Sequence, residues 1–177
     1  MICFHNPEEE NGYLSNWYLS EFTVHGVTFS SMEQYMMYEK ALLFQDQEAA
    51  EKILQTDDVA EIKALGRNVR NFDDKTWVKL REDIVYAGVL EKFRQNPELA
   101  EKLGKTGEEI IAECAVNDRI WGIGLSMKDE NRYCSDKWRG QNLLGKVLMR
   151  VRKDIGFHPE SELQDYTEII RQEKERK

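Results

Sequence analysis

The stretch from Ser30 to Phe44 constrains the fold most, because it predicts a helix that is apolar on most of its faces. It reads Ser-Ser-Met-Glu-Gln-Tyr-Met-Met-Tyr-Glu-Lys-Ala-Leu-Leu-Phe and contains no Gly or Pro. Ser30, followed three residues later by Glu33, has the pattern of a capping box at a helix start. A helix with Met, Tyr, Leu and Phe around its circumference is usually buried. We therefore expect the rest of the chain to pack around it.

Two ionisable residues, Glu33 and Lys40, indicate that this helix forms one wall of an active site. At helical spacing they lie on one side, two turns apart, with Met36 and Met37 between them. Burying a charge is costly, so such groups usually have a partner or a catalytic task. Each also has a structural alternative. Glu33 can satisfy a backbone donor as the third helical residue, and Lys40 can extend its ammonium group into water.

Length and composition bound the class of protein. The 177 residues, 41% hydrophobic and 33% charged, are typical of one soluble globular domain. No apolar run reaches the ~18 residues of a membrane span, and the first residues lack a signal-peptide pattern. Three widely spaced cysteines argue against disulfides or zinc and favour a reducing, cytoplasmic compartment. Since metal-binding spacings are also absent, we expect no metal and no cofactor.

The charge distribution leaves one candidate anion site. A formal net charge of −8 is unlike that of proteins that grip long nucleic acid through a basic face. The segment Lys63-Ala-Leu-Gly-Arg67-Asn-Val-Arg70 is a local basic cluster. Its cations either contact a phosphate or stabilise the end of a helix through the dipole. The sequence leaves both interpretations open.

The remaining patterns predict a mainly α protein of the α+β class, with one catalytic domain over residues 1–155. A strand at 2–4 and a hairpin at 21–29 precede the helix at 30–44, and residues 109–115 form a buried strand or a helix turn. A charge-rich helical tail is expected at 156–177. Further helices are predicted near 46–54, 57–65 (ended by Gly66), 73–93, 97–103 (ended by Gly104) and from about 142.

A loop at residues 117–124 is a candidate part of a pocket. Trp121 is followed by Gly122 and Gly124, which offers an aromatic surface beside backbone that a ligand can approach. Asp118 is a possible acid or base. The structural alternative is that Trp121 anchors the loop over the core while Asp118 makes a turn.

Two asparagines are candidate binding residues. Asn16 lies among aromatic residues in Tyr-Leu-Ser-Asn-Trp and either fixes a ligand or caps its own turn. Asn142 precedes a predicted helix, whose free N–H groups can bind a phosphate, although Asn is also a good N-cap.

These motifs occur in a recognisable order, and together they resemble the NADAR family, also called YbiA-like. The resemblance covers about residues 4–153. Trp17 is a departure, since the family more often has Phe there, and a stacking role survives the change. The matching pieces are Leu14-Ser-Asn-Trp17, Ser31-Met-Glu-Gln-Tyr35 with Lys40, Lys63-Ala-Leu-Gly-Arg67, Trp77, Lys92-Phe93, Thr106-Gly107, Glu113, Asn117-Asp-Arg-Ile-Trp-Gly-Ile-Gly124, Gly140-Gln-Asn-Leu-Leu-Gly145 and Leu148-Met149.

The resemblance implies a compact helical domain with a small β part and an N-glycosidase activity. Such an enzyme breaks the bond between ribose C1′ and an exocyclic nitrogen. Two substrate classes are associated with the family: ADP-ribose on the amino group of guanine, in DNA or RNA, and phosphoribosylamino-pyrimidine intermediates of riboflavin synthesis. By similarity the catalytic residues are Glu33, Trp77 and Asp118, with Lys40 a further candidate.

The implied chemistry distributes roles among these residues. A carboxylate stabilises positive charge at C1′ or activates water, and a second acid protonates the leaving nitrogen. We expect Glu33 at the ribose and Asp118 at the leaving group or the water. Alternatively, Lys40 attacks C1′ of a ring-opened imine to form a Schiff base. Trp77 and Trp121 then stack on the base or shield the site.

The other candidates are binding residues. We expect contacts with the sugar or phosphate from Asn16, Gly122, Gly124 and Asn142, and neutralisation of phosphate charge by Lys63 and Arg67. The competing interpretation is a catalytically silent module that binds ADP-ribose or a related nucleotide.

Overall fold

The structure is a computed structural model that describes residues 1–155, so the tail predicted at 156–177 lies outside the described residues. Helices dominate the described part, and the strands are short, which confirms the mainly α, α+β class. The elements are β1 (Ile2–Phe4), β2 (Leu19–Val24), β3 (Val27–Ser31), α1 (Met32–Leu43), α2 (Gln47–Leu54), α3 (Val59–Arg67), α4 (Asp74–Gln95), α5 (Pro97–Lys105), β4 (Ile111–Glu113) and α6 (Leu143–Asp154).

Helix α1 lies at the centre of the fold, as its apolar circumference predicts. Eight of its twelve residues are buried, and α2, α3 and α4 pack against it. The rings of Phe29 and Tyr35 meet edge to face with centroids 5.2 Å apart. Helix α4 approaches closely at Gly88, where a Cβ atom would lie 2.4 Å from the Tyr35 ring. The core is therefore organised by α1 and the helix that crosses it.

The predicted capping box at Ser30 and Glu33 was wrong by one residue. Strand β3 continues to Ser31, whose Oγ accepts a hydrogen bond from the backbone N–H of Gln34 at 3.2 Å. The Gln34 Oε1 in turn accepts from the Ser30 N–H at 2.7 Å, and its Nε2 donates to Ile53 O. A glutamine suits this position because its amide also donates into the core, which a carboxylate does not. Glu33 therefore has no capping role.

Two predicted helix ends were also wrong, since neither Gly66 nor Gly104 stops its helix. Helix α3 continues to Arg67, and α5 continues to Lys105. At position 66 a Cβ atom would lie 1.9 Å from the Met37 Sδ. This glycine is required because α3 packs tightly on α1, and that packing brings the cations of α3 beside Glu33.

The strands form two small sheets. Strands β2 and β3 make the predicted hairpin, and His25 and Gly26 adopt positive φ angles of 50° and 79° at its turn. Strands β1 and β4 pair in parallel, with Phe4 opposite Glu113. The ambiguous segment at 109–115 thus contains a strand, and its last residue is a glutamate.

The start of α6 is tied to β4 by the side chain of Asn142. Its Nδ2 donates to Ile111 O at 2.8 Å, and its Oδ1 accepts from the Glu113 N–H at 3.1 Å. Asn142 itself has a left-handed backbone with φ 53°. None of the helices within residues 1–155 combines the length and apolarity needed to cross a membrane.

Candidate active site

A cavity of about 270 Å³ lies where α1, α3, the segment before β2 and the loop after β4 meet. Helix α1 contributes one wall, as its ionisable residues predicted. Most of the residues proposed from the sequence are brought together here, although they come from four separate parts of the chain. The lining consists of Asn16, Trp17, Glu33, Met36, Met37, Lys40, Lys63, Arg67, Glu113, Asp118, Ile120 and Trp121.

Glu33 is the most deeply buried ionisable group of the cavity. The residue is 3% exposed, and its Oε1 has no hydrogen-bond partner among residues 1–155. Burial raises the pKa of this carboxyl to about 7, and the charge of Asp118 adds to the rise. Lys63, the Trp17 indole and Arg67 oppose it by favouring the ionised form. At neutral pH the carboxyl therefore exists in both protonation states, which suits proton transfer.

Lys40 lies two turns along α1 in partly apolar surroundings. Its Nζ donates to Gly66 O at 2.7 Å and lies 4.4 Å from the centre of the Phe72 ring and 5.8 Å from that of Trp77. Desolvation lowers the pKa of the ammonium group, while Glu33 acts in the opposite direction. A lysine amine with a lowered pKa is a better nucleophile at neutral pH.

Asp118 is held in a tight turn at the edge of the cavity. Its Oδ1 accepts hydrogen bonds from the backbone N–H groups of Ile120 and Trp121 at 2.9 and 2.8 Å. One carboxylate oxygen of Asp118 therefore makes a turn, as the structural alternative predicted. The residue nevertheless lines the cavity, and its charge raises the pKa of the neighbouring carboxyls.

Glu113 is a functional candidate that the sequence reasoning did not select. It ends β4, lines the cavity, and has an Oε2 that is buried without a hydrogen-bond partner in the described part of the chain. Burial raises the pKa of this carboxyl to about 8, helped by Asp118 and Glu33 and opposed by Lys63. Two signals were available: Glu113 is one of the residues that carry the family resemblance, and it ends a short apolar run, Ile-Ile-Ala.

Asn16 and Trp17, in the segment before β2, line the cavity next to α1. The backbone O of Asn16 accepts from the Glu33 N–H at 2.9 Å, which joins the two walls. The turn is stabilised by Ser15, whose Oγ accepts from the Trp17 N–H, rather than by the Asn16 side chain. The Asn16 Oδ1 is buried without a partner among residues 1–155. Buried polar atoms normally have partners, so this oxygen stays a candidate for a ligand contact.

Two cations of α3, Lys63 and Arg67, line the cavity from the side of Trp17. The Lys63 Nζ lies 5.4 Å from the centre of the Trp17 ring, and Arg67 is exposed in the last turn of α3. Arg67 thus lies at the end of a helix, as one alternative predicted, and also lines the cavity. Its contact with a phosphate stays a prediction. These cations supply the positive charge that an anionic ligand needs.

The other sequence-proposed residues lie behind the cavity and do not line it. Trp77 is buried on α4 beside Lys40. Asn142 uses both polar side-chain atoms on β4. A Cβ atom at Gly122 would lie 2.9 Å from Asp118 O, and Gly124 has a positive φ of 71°. These two glycines permit close packing of the loop.

Within residues 1–155, His, Cys, Asp and Glu side chains form no group of three or more that could hold a metal ion.

Comparison with known proteins identifies relatives along almost the whole described chain. The profile of the NADAR domain matches residues 3–156. An N-glycosidase of Acanthamoeba polyphaga mimivirus is 44% identical over 161 residues, which cover 86% of this chain and 95% of that protein. A riboflavin biosynthesis protein of Vibrio vulnificus is 32% identical, and the match covers 89% of this chain but only 39% of that protein.

A solved structure supports the same relationship. The NMR structure of the Escherichia coli protein YbiA superposes with a TM-score of 0.73 at 26% identity, covering 88% of this chain and 84% of that one. The N-glycosidase YbiA of Shigella flexneri is 27% identical, with 89% of each chain covered.

Proposed function

The chain belongs to the NADAR domain family, as its motifs predicted, and is an N-glycosyl hydrolase, and we propose that it removes ADP-ribose from the amino group of guanine. The bond cleaved joins ribose C1′ to an exocyclic nitrogen. The observation that carries this proposal is Glu33, a buried carboxyl with an unpartnered oxygen in a cavity that also holds cations and indole rings.

Glu33 supports direct hydrolysis of the ribosyl bond. As the bond to nitrogen breaks, positive charge develops at C1′ and at the ring oxygen, and a nearby carboxylate stabilises it. The same carboxylate takes a proton from the water that attacks C1′. A pKa of about 7 makes the ionised form available at neutral pH. One oxygen of Asp118 accepts hydrogen bonds from two backbone N–H groups, and the residue lines the same cavity.

Lys40 supports a covalent route through the same site. An N-ribosyl amine can open to an imine at C1′, and the Lys40 amine then adds to that carbon and displaces the base amine. Water later releases the sugar from the resulting Schiff base. Burial lowers the pKa of the Lys40 ammonium group and so favours the neutral amine that attack requires, whereas the Phe72 ring and the Gly66 carbonyl stabilise the charged form.

The remaining lining residues fit a nucleotide. Lys63 and Arg67 are placed to take phosphate charge, and Trp17 and Trp121 present aromatic surfaces for a base. The volume of about 270 Å³ is at the lower end of ordinary ligand sites, so part of an ADP-ribosyl nucleotide must extend outside it. A single extruded guanine meets this requirement.

A second substrate class is favoured by one observation. The Vibrio vulnificus relative is named a riboflavin biosynthesis protein, and its match covers 89% of this chain. Phosphoribosylamino-pyrimidines also carry a ribose C1′ on an exocyclic nitrogen, with a phosphate that Lys63 or Arg67 can bind. We keep these intermediates as the second candidate.

The test measures kcat/KM for both substrate classes with purified protein. Guanine-ADP-ribosylated oligonucleotide and phosphoribosylamino-pyrimidine are assayed in parallel with Glu33→Gln and with Glu51→Gln, a surface control on α2. We expect turnover of the oligonucleotide by wild type and by Glu51→Gln, and a loss of at least about 100-fold in Glu33→Gln. Turnover of the pyrimidine alone favours the second candidate. Binding of ADP-ribose without turnover of either substrate identifies a silent binding module and contradicts the proposal.

A further inference from the structure

The reaction needs a proton donor for the leaving nitrogen, and the geometry of Asp118 does not suit that task. Its Oδ1 accepts hydrogen bonds from two backbone N–H groups, those of Ile120 and Trp121. These bonds engage that oxygen in the turn of the loop, and a carboxyl of the cavity without such bonds suits the task better.

Resting on the proposed N-glycosidase function, we propose that Glu113 is the catalytic acid, and that its carboxyl gives the leaving nitrogen the proton it needs. This residue lines the cavity with Glu33 and Lys40 but comes from β4, on another part of the chain. The cavity thus receives one carboxyl from α1 and a second from β4.

The backbone of Glu113 is fixed on both sides. Its N–H donates to the Asn142 Oδ1 at 3.1 Å, and its O accepts from the Ile123 N–H at 2.8 Å. Gly122 packs directly against it, because a Cβ atom there would lie 3.0 Å from Glu113 O. Such a frame holds the side chain in one place relative to the cavity, as a proton donor requires.

The side chain itself lacks a partner that would explain its burial. The Oε2 is buried with no hydrogen bond in residues 1–155, and none of the salt bridges there includes Glu113. An unpaired ionised carboxylate in this position is costly, whereas a protonated carboxyl keeps a hydrogen for an acceptor in the cavity. The nitrogen of a bound ribosyl amine is such an acceptor.

The electrostatic surroundings support this division of roles. The pKa of Glu113 is raised to about 8, above the value of about 7 for Glu33. Near neutral pH, Glu113 is therefore the carboxyl that holds its proton, and Glu33 is the one that more readily loses it. Two carboxyls whose environments separate their pKa values form the usual acid and base pair.

The proton balance closes in either route. When the bond from C1′ to nitrogen breaks, its electron pair stays on nitrogen, which takes the proton from Glu113 and leaves as the free amine. In direct hydrolysis, water adds to C1′ and gives its proton to Glu33, after which solvent returns the carboxyls to their starting states. In the imine route, the Lys40 amine adds to C1′, and the displaced nitrogen leaves as the free amine with one proton from Glu113 and one from the Lys40 amine. Water then hydrolyses the protonated Schiff base and restores the lysine.

The experiment compares Glu113→Gln with Glu108→Gln, an exposed control in the preceding loop, on a substrate that wild type turns over. The isosteric Gln keeps the volume but has no proton to transfer. We expect Glu113→Gln to lose about 100-fold or more in kcat while KM changes less than about threefold. Glu108→Gln should match wild type.

The pH profile separates an acid from a packing role. Wild-type kcat should fall above pH ~8, where Glu113 ionises, and this alkaline limb should be absent from the residual activity of Glu113→Gln. A wild-type kcat that stays level from pH 7 to 9 overturns the inference even if the variant fails to fold. So does a Glu113→Gln enzyme that keeps a third of wild-type kcat or keeps the alkaline limb. Absence of any wild-type turnover contradicts the proposed function itself.

Discussion

Glu33 occupies a position that is costly for the folded protein. Its carboxyl is nearly inaccessible and lacks a partner for one oxygen, although Gln34 beside it satisfies the helix start. A raised pKa in the folded state means that the folded protein binds more protons than the unfolded chain between pH ~4.5 and ~7. Stability is therefore lost as the pH rises through this window, and the cost is complete above pH ~7.

This cost predicts how Glu33→Gln changes stability. The free energy of unfolding of the variant minus that of wild type should be larger at pH 8 than at pH 4. The increase should be on the order of 3 kcal/mol or less. Urea unfolding at the two pH values measures the gain. Glu51→Gln, which removes an exposed carboxylate from α2, should show no comparable change. An equal Glu33→Gln effect at both pH values would mean that the carboxyl is not desolvated.

Lys40 allows the covalent route to be tested separately. Borohydride added during turnover should reduce a Schiff base and attach the sugar to the peptide that contains Lys40. Lys40→Ala should give no adduct and should lose about 100-fold or more in turnover. Peptide mass spectrometry and rate measurements check both. Normal turnover by Lys40→Ala, together with no adduct in wild type, leaves direct attack by water as the route.

Sequence periodicity could predict the pairing of Glu33 with Lys40 because both lie on one helix, whose geometry fixes their common side. It could not predict that Glu113 joins them. Strand β4 has only three residues, and the same apolar run also suits a helix turn. The cavity position of Glu113 depends on its parallel pairing with β1 and on a side chain of α6.

At the scale of the elements, the start of α6 positions β4 through one residue. Asn142 makes two hydrogen bonds to β4 and adopts a positive φ that favours Asn over most residues. Asn142→Ala should lose about 3 kcal/mol of stability, from two hydrogen bonds and about 1 kcal/mol of backbone strain. Asn142→Gly, which loses the bonds without the strain, should lose about 1 kcal/mol less. Chemical denaturation measures both, and equal losses would exclude the strain contribution.

Glycine at helix ends shows why element boundaries were harder to predict than the elements. Gly66 resembles a helix stop in the sequence, yet it lies inside α3. The residue is a glycine because Met37 occupies the space that a side chain would need. Gly104 likewise lies inside α5. A single sequence does not distinguish a glycine that is needed for close packing from one that is needed for a positive φ. Helix starts were predicted more closely: Asp46 and Asp73 each accept a hydrogen bond from the first turn, as does Asp58, one residue after the predicted start at 57.

At the scale of the whole molecule, the charge is unfavourable for gripping long nucleic acid. The formal net charge is −8, and the positive charge of Lys63 and Arg67 lies at the cavity rather than along an extended surface. Recognition should therefore depend on the modified nucleotide itself. We expect KM to change less than about threefold between a short and a long oligonucleotide that carry one ADP-ribosyl guanine each. A KM that falls steeply with length would instead indicate a backbone-binding surface.

The most direct test of the account is the intact mass of a guanine-ADP-ribosylated oligonucleotide after incubation with the enzyme. Cleavage between ribose C1′ and nitrogen predicts return to the mass of the unmodified strand, together with free ADP-ribose. Glu33→Gln should leave the modified mass unchanged on the same timescale, while Glu51→Gln should act like wild type. A strand that keeps the ribose, or a Glu33→Gln enzyme as active as wild type, would contradict N-glycosidic cleavage at this cavity.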